Sequence, residues 1–579
     1  MRSARLRLLA VVTPLSIVAC ALFVPASAHA TNITEFPDNG SEQMARGGAW
    51  VARASDPLAT VFNPAGLAGQ ATRITLQSGL IFEHTCLTRV KATGDTTNDP
   101  LGAGPGGVYP RACNDIAPTI NPQLGATIRL SDRLGLGLLL IGPSSGGEKK
   151  YPDFVNDANG NPQAAPGRYM LIHQSGIILF PTIGIGYEVF DNLRLGASLS
   201  WGFARLKLTN ASLSLNSDGT SPEKNDTRGT LQVHDYFVPQ FTVGGIYSVT
   251  PEIDVAGWYK WSDAIRARGD AGTEANFYGK DNARGDDKNV RYGDTVYEDC
   301  GTGLTTTKAC AGGQNATVKF VIPMEAKVGF RYHRSRKAEA RSAAVESARA
   351  DLTPEQIEDA RAATAAASQR QQRTRDPLAS DLFDIEADLT WANNSATETL
   401  QVRFPGDETG KGRLPVAGVA GGEIPPNADQ KRGFKDVFGV RVGGDLNVVP
   451  DKLAVRAGTF FESSGANAAL QNIDFAPTWR VGLALGGTYR LRLGESDRTR
   501  ALEFMVGYGH IFFGEQSRTD PSASGSPGIA GTSCNGSNPV PGTQTCEDGR
   551  QRYRTKWPVN LGTITNSVNV INLGVAYRF

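Results

Sequence analysis

The sequence has 579 residues, with 59 Lys and Arg against 58 Asp and Glu, 66 glycines and seven cysteines. A formal net charge of +1 offers no electrostatic footprint for nucleic acid. Past the N-terminus no stretch holds the roughly eighteen apolar residues that a membrane helix needs, yet many short alternating segments suit membrane strands, which are only half apolar and escape a hydropathy scan.

Residues 1–30 read as a secretory signal. Arg2, Arg5 and Arg7 precede the apolar run LLAVVTPLSIVACALFV, and Ala28-His29-Ala30 is a small-residue cleavage pattern. Ile17-Val18-Ala19-Cys20 offers a lipidated alternative, but the apolar ALFVP after Cys20 makes a poor mature start. Cleavage near Ala30 removes three of the 59 cations and leaves a mature chain near −2, exported to the bacterial envelope. Residues 31–70 follow without helix or strand periodicity and end in DPLATVFNPAGLAG. Pro57 and Pro64 delete amide donors, while Gly66 and Gly69 permit tight turns.

From residue 71 onward, period-two alternation predicts strands near 71–83, 118–130, 134–142, 177–189, 192–208, 232–249, 252–264, 317–332, 382–397, 434–448, 452–463, 477–491, 501–513 and 566–579. In most of these, one face is large and apolar and the other small or charged. Leu193, Leu195, Leu199 and Trp201 alternate with Arg194, Gly196, Ser198 and Ser200; Phe383, Ile385, Leu389 and Trp391 alternate with Asp384, Glu386, Asp388 and Thr390. Such faces suit a barrel with lipid outside and a polar lumen, and an even strand count suits closure. The fold class is therefore all-β: a fourteen-stranded antiparallel transmembrane barrel over 71–579, preceded by the irregular residues 31–70. The last strand ends on Tyr577 and Phe579, an aromatic terminus of the kind read by barrel-assembly machinery.

The connections alternate in length. SDR at 131–133, FDN at 190–192, TPE at 250–252 and PD at 450–451 are tight turns, and the intervening connections are mostly long, as for periplasmic turns and extracellular loops. Cys86, Cys113, Cys300, Cys310, Cys534 and Cys546 fall in or at the edge of the long loops. Six cysteines permit fifteen pairings; chain order suggests three local staples, fitting an oxidising compartment. One short-side connection, 334–381, is long, Ala-rich and charged. Thr353-Pro354-Glu355-Gln356 forms a capping box with proline at the first helical position, so helices are predicted there, projecting into the periplasm.

GSEQMARGGAWVARASDPLATVFNPAGLAG, with Asn63-Pro64-Ala65 near its end, resembles the N-terminal hatch of the FadL/TodX family of outer-membrane transporters for hydrophobic compounds. FPTIGIGYEVFDNLRLGASLSW, VPQFTVGGIYSVTPEIDVAGWYKWSD and KDVFGVRVGGDLNVVPDKLAVRAGTFFES are similar to its strand–turn–strand phrasing. The resemblance implies a monomeric outer-membrane barrel with residues 31–70 as a plug (hatch) inside its lumen, which passes greasy cargo, long-chain fatty acids first and aromatic hydrocarbons as the alternative. Cargo would leave through a lateral opening in the third strand, where Gly142-Pro143 is a candidate kink. Outer-membrane lipid and lipopolysaccharide would surround it. On the inward faces Lys327, Arg441, Arg456 and Arg480 are candidates to bind a cargo carboxylate or to hold the hatch, with Glu325 and Asp445 as further hatch partners.

A hydrolase would need a supported nucleophile. His234-Asp235 and His510 lack a serine at strand spacing, His84 and His173 sit at loop edges, and no Gly-x-Ser-x-Gly, phosphate loop or metal motif occurs. No catalytic residue, cofactor or metal is expected. An open porin remains the third class, and it would carry no plug.

Overall fold

A computed structural model describes residues 39–91, 105–143, 147–157, 159–160, 162–212, 226–274, 278, 308–310, 316–335, 376–403, 414–415, 423–424, 430–493, 500–519, 546–547, 550–551 and 560–579. Among them fourteen wall strands form one closed antiparallel ring. In chain order they are β1 Arg73–Arg89, β2 Thr119–Arg129, β3 Leu134–Ile141, β4 His173–Phe190, β5 Leu193–Ser212, β6 Thr227–Thr250, β7 Ile253–Ser262 with its continuation Ala264–Glu274, β8 Ala316–Val321 with Glu325–Ser335, β9 Asp381–Ala392 with Thr399–Arg403, β10 Val437–Val449, β11 Leu453–Glu462, β12 Arg480–Arg492, β13 Ala501–Phe513 and β14 Gly562–Arg578. Each pairs with the next. β1 closes the ring by pairing with β14 from Arg73↔Arg578 to Arg89↔Gly562, so the sheet has no terminal edge strand.

Alternation decides which face meets lipid. Leu199, Leu389 and Leu485 are 57%, 64% and 59% exposed, while their neighbours Ser198, Asp388 and Gly486 point at the lumen. Tyr187, Tyr247, Tyr489, Tyr577 and Phe579 ring the end with the short turns; Trp201, Phe237, Trp261, Phe438, Trp479 and Phe512 ring the other. These are the two aromatic girdles of a membrane-spanning barrel.

The strands on one side extend well beyond the upper girdle. β6 starts at Thr227 rather than 232, β7 runs to Glu274 rather than 264, and β14 begins at Gly562 rather than 566. The β6 and β7 extensions escape the alternation because their inward parity changes part-way. In β6 the register jumps between Asp235 and Val238, leaving Tyr236 and Phe237 as a bulge. Below it the even residues Gln240 and Thr242 face the lumen; above it the odd residues Leu231 and Val233 do. The break at Asp263 does the same to β7, passing the lumen from Lys260 to Ile265 and Ala267. Shifting a strand by one residue exchanges its faces.

The predicted insertion is bounded more tightly than 334–381: Arg334 and Ser335 belong to β8, and Asp381 opens β9. Residues 336–375, with the helices expected there, lie outside the described residues, as do residues 1–30, read as a signal, and residues 31–38.

Candidate functional site

Residues 39–70 fill the lumen. They fold as helix α1 Ser41–Ala45, helix α2 Ala59–Phe62 and a 3-10 turn Pro64–Leu67, joined by turns, and every residue is buried. The backbone lies against glycines of the wall. A Cβ at Gly196 would stand 2.2 Å from the Pro64 carbonyl carbon, and one at Gly443 or Gly458 would meet the Arg46 carbonyl oxygen at 2.1 Å. Asn63 takes φ +127° in the turn. Its Nδ2 donates to the Val51 carbonyl at 2.8 Å and its Oδ1 accepts from Ala65 N at 3.3 Å, so Asn63 ties the two halves of the hatch together.

The hatch is locked to one part of the wall. Asp384, Glu386 and Asp388 follow each other at two-residue spacing on the inner face of β9, and Asp445 lies opposite Asp384 on β10. Arg46 Nη1 donates to Asp384 at 2.7 Å and Asp445 at 2.6 Å; Arg53 reaches the other oxygen of each at 2.6 and 2.9 Å. Trp50 N and Val51 N donate to Asp388, and Ala52 N and Arg53 N to Glu386. An irregular backbone thus finds partners for its amides where water is excluded. Of the residues nominated from sequence, Asp445 meets the hatch directly and Arg456 supports it from behind, 3.1 Å from Asp445. The three acids of β9 were visible as an alternating face, but nothing local marked them as hatch ligands rather than ordinary lumen charges.

The other nominees sit higher. Arg441 and Arg480 both pair with Glu462, at 2.9 and 2.6 Å, and Glu325 pairs with Lys260. Lys327 lies 5.7 Å from the Phe62 ring centre and 5.3 Å from that of Trp258. Above this tier the lumen turns apolar. Leu231, Val233, Ile265, Val318 and Val402 form one cluster with Trp50 and Phe62 of the hatch. The same cluster takes in Leu139, Ile141 and Phe180.

Those last three residues border an interruption in the wall. β2 pairs with β3 only from Arg129↔Gly135 to Leu124↔Leu140, although β2 continues to Thr119 along β1. On its other side β3 pairs with β4 as far as Ile141↔Phe180, and among the described residues pairing resumes at Lys149↔Gln174. Gly142 and Pro143 begin the segment that leaves the sheet. Gly142 packs so close to the Ile178 carbonyl that a Cβ would fall 2.8 Å from it. Asn39, the first described hatch residue, accepts hydrogen bonds from Asn121 at 2.6 Å and Gln123 at 3.1 Å, on the stretch of β2 that β3 has abandoned.

The opposite mouth is crossed by a strap. Asp376 and helix α3 Pro377–Ser380 run from the start of β9 across the rim rather than straight away from it. Asp376 pairs with Arg490 of β12 at 2.7 Å and with Arg578 of β14. Asn447 Nδ2 donates to the Pro377 and Asp381 carbonyls, and Asp451 N to that of Leu378. A polar recess separates the strap from Glu42, Arg53 and Gln70 of the hatch. Burial pushes the Asp376 carboxyl up, but Arg490 and Arg578 outweigh it and hold the pKa at about 2.

A disulfide joins Cys86 of β1 to Cys113. Cys310 is backbone-paired opposite Gly272 and Cys546 opposite Gln551, while Cys300 and Cys534 fall outside the described residues. His510 Nδ1 donates to Asn569 Oδ1 at 2.8 Å, and the His234 ring packs against Tyr236 with the planes tilted by 39°.

No protein-family model and no curated protein matches the sequence. Solved structures do. A FadL homologue from Pseudomonas aeruginosa is similar over 95% of this chain and 100% of its own, with TM-score 0.57 and 16% identity. The Pseudomonas putida toluene transporter TodX is similar over 94% and 99%, with TM-score 0.49 and 13% identity. The Ralstonia pickettii toluene transporter TbuX is similar over 95% and 99%, with TM-score 0.45 and 14% identity. The chain has the fold of the FadL-type barrel.

Proposed function

We propose that this FadL-fold barrel carries hydrophobic small molecules through the bacterial outer membrane and releases them sideways into it, with residues 39–70 as the gate. One observation carries the reading. The apolar lining leads to the interrupted wall at Leu139, Ile141 and Gly142, whereas the axial route is filled by hatch and strap. A greasy solute leaving at the interruption passes from protein to lipid without entering water, and apolar surface is favoured there at about 25 cal/mol per Å² over exposure to water. Asn39 sits against that interruption, so hatch movement and wall opening are one event.

Long-chain fatty acids are the first cargo class, with Lys327 above the Phe62 ring as the group that meets the carboxylate. A neutral aromatic hydrocarbon is the second, and a specific observation favours it: Arg441, Arg456 and Arg480 are all ion-paired to lumen acids, so they serve the wall and hatch before any anionic cargo. Complementation separates the classes. A host lacking its own uptake channel is supplied with this protein and tested for growth on a long-chain fatty acid and for uptake of a radiolabelled aromatic hydrocarbon; gain of neither overturns the function. Liposomes carrying the protein should not swell rapidly in sugar, and rapid swelling would mark an open porin.

A further inference from the structure

Above the upper girdle the outer wall of β5 to β8 carries a patch of opposite character to everything below it. The parity changes at Asp235–Val238 and Asp263 send Leu231, Val233, Ile265 and Ala267 inward, so the polar alternates must point out. Arg205, His234 and Arg268 are exposed and aligned across three strands, His234 opposite Arg205 on one side and Arg268 on the other. Arg266 stands opposite Lys319 on β8, and both are exposed. Lys207 lies two residues above Arg205. Acids are present but committed: Asp263 pairs with Arg266 at 2.7 Å, and Asp235 accepts the amides of Phe237 and Arg266. Asp270 is the third. Among the described residues Arg205, Arg268 and Lys319 make no ion pair.

Height fixes what these cations face. Arg205 lies four residues beyond Trp201, about 13 Å along the strand, or about 10 Å of height at a barrel's tilt. Trp201 is 61% exposed, packs edge-on to Phe237 at 5.1 Å and donates Nε1–H to the Tyr236 carbonyl, so it belongs to the girdle at the hydrocarbon boundary. The polar layer of a leaflet spans the first ~5–8 Å beyond that boundary. Arg266 and Lys319, two residues lower than Arg268, therefore stand within it, and Arg205 and Arg268 stand about 2 Å beyond its outer edge, within the length of an arginine side chain. Cations spaced one strand apart at that level, over an aromatic shelf that takes acyl chains, match a lipid whose headgroup carries phosphate.

We infer that the outer face of β5–β8, centred on Arg205, Arg268 and Lys319, binds a phosphorylated lipid of the outer leaflet, its phosphate on the cations and its acyl chains against Trp201, Tyr236 and Phe237. The inference rests on the outer-membrane reading above but not on the cargo. It is tested by native mass spectrometry of the full chain in detergent, loaded with lipid A bearing two phosphates or with the same lipid dephosphorylated. Wild type should retain the phosphorylated lipid and lose it as salt rises. The triple variant R205Q/R268Q/K319Q should retain at least about tenfold less, while R129Q/R133Q, altered at the opposite rim, retains it normally. Equal retention by wild type and triple variant, equal retention of both lipids, or full displacement by millimolar inorganic phosphate would each overturn it. Heat-modifiable electrophoretic mobility checks that the triple variant is a folded barrel. Cargo uptake should be unchanged in it, so loss of the lipid site and failure of the transport reading give different results.

Discussion

Arg46 and Arg53 are two buried cations facing four buried carboxylates, and neither can be removed quietly. Arg46→Met removes one of the two hatch cations that Asp384 and Asp445 share, at 2.7 and 2.6 Å, and leaves Arg53 as the other. Breaking one side of a buried pair typically costs about 3–5 kcal/mol. The hatch should therefore undock in R46M, seen as higher single-channel conductance in planar bilayers and faster proteolysis within residues 39–70. Unchanged conductance would mean the lock does not hold the hatch. Asn63→Ala should act in the same direction but more weakly, because it leaves the buried Val51 carbonyl without its donor, at about 1–3 kcal/mol. Asp376 gives a pH dependence with a definite sign. Its folded pKa of about 2 lies below the ordinary 3.8. The strap's added stability is thus full above about pH 4 and is lost as pH falls through about 2. Asp376→Asn should remove that dependence, as read from protease cleavage next to the strap across a pH series.

At the level of elements, the wall was legible and its exceptions were not. Period-two alternation marks a strand when one face is uniformly large, as in Leu193–Trp201, and β5 lies where the sequence puts it. It fails where a bulge exchanges the faces. The strand predicted over 232–249 carries no sign of the bulge at Tyr236-Phe237 and stops short, whereas β6 continues to Thr227. Gly142-Pro143 was read as a candidate kink because proline supplies no donor; β3 ends at Ile141, one residue before it. Hatch and wall meet through wall glycines, which strand alternation treats as weak positions. Gly196→Val places a branched side chain where even a Cβ falls 2.2 Å from Pro64. It should expel the hatch while leaving the barrel folded: raised conductance with normal heat-modifiable mobility. A barrel that no longer folds would show instead that the glycine serves the wall.

Across the whole molecule, charge and grease are separated by height. The rim by the short turns holds ion pairs from β9 to β14, the middle holds the hatch and its acids, and the far part of the lumen is apolar. Deleting residues 39–70 should leave a pore with a charged lower tier, and conductance to small ions should rise several-fold. The cluster that locks the hatch could not be read from the chain: Arg46 and Asp384 are 338 residues apart. Each end shows only a charged residue in its local pattern, and closure of the ring brings the two face to face.

The strap gives that arrangement a mechanical side. Arg331 grips Asp381 at 2.6 Å and Asp384 at 2.7 Å, and Asp384 in turn grips Arg53. Tension on the chain entering at Asp376 is borne first by Arg490 and Arg578. Once those contacts part, the load passes through Asp381 and Arg331 to the carboxylate that anchors the hatch. A tug from the side of the short turns would therefore meet two bonds in series, with the plug as the second to yield.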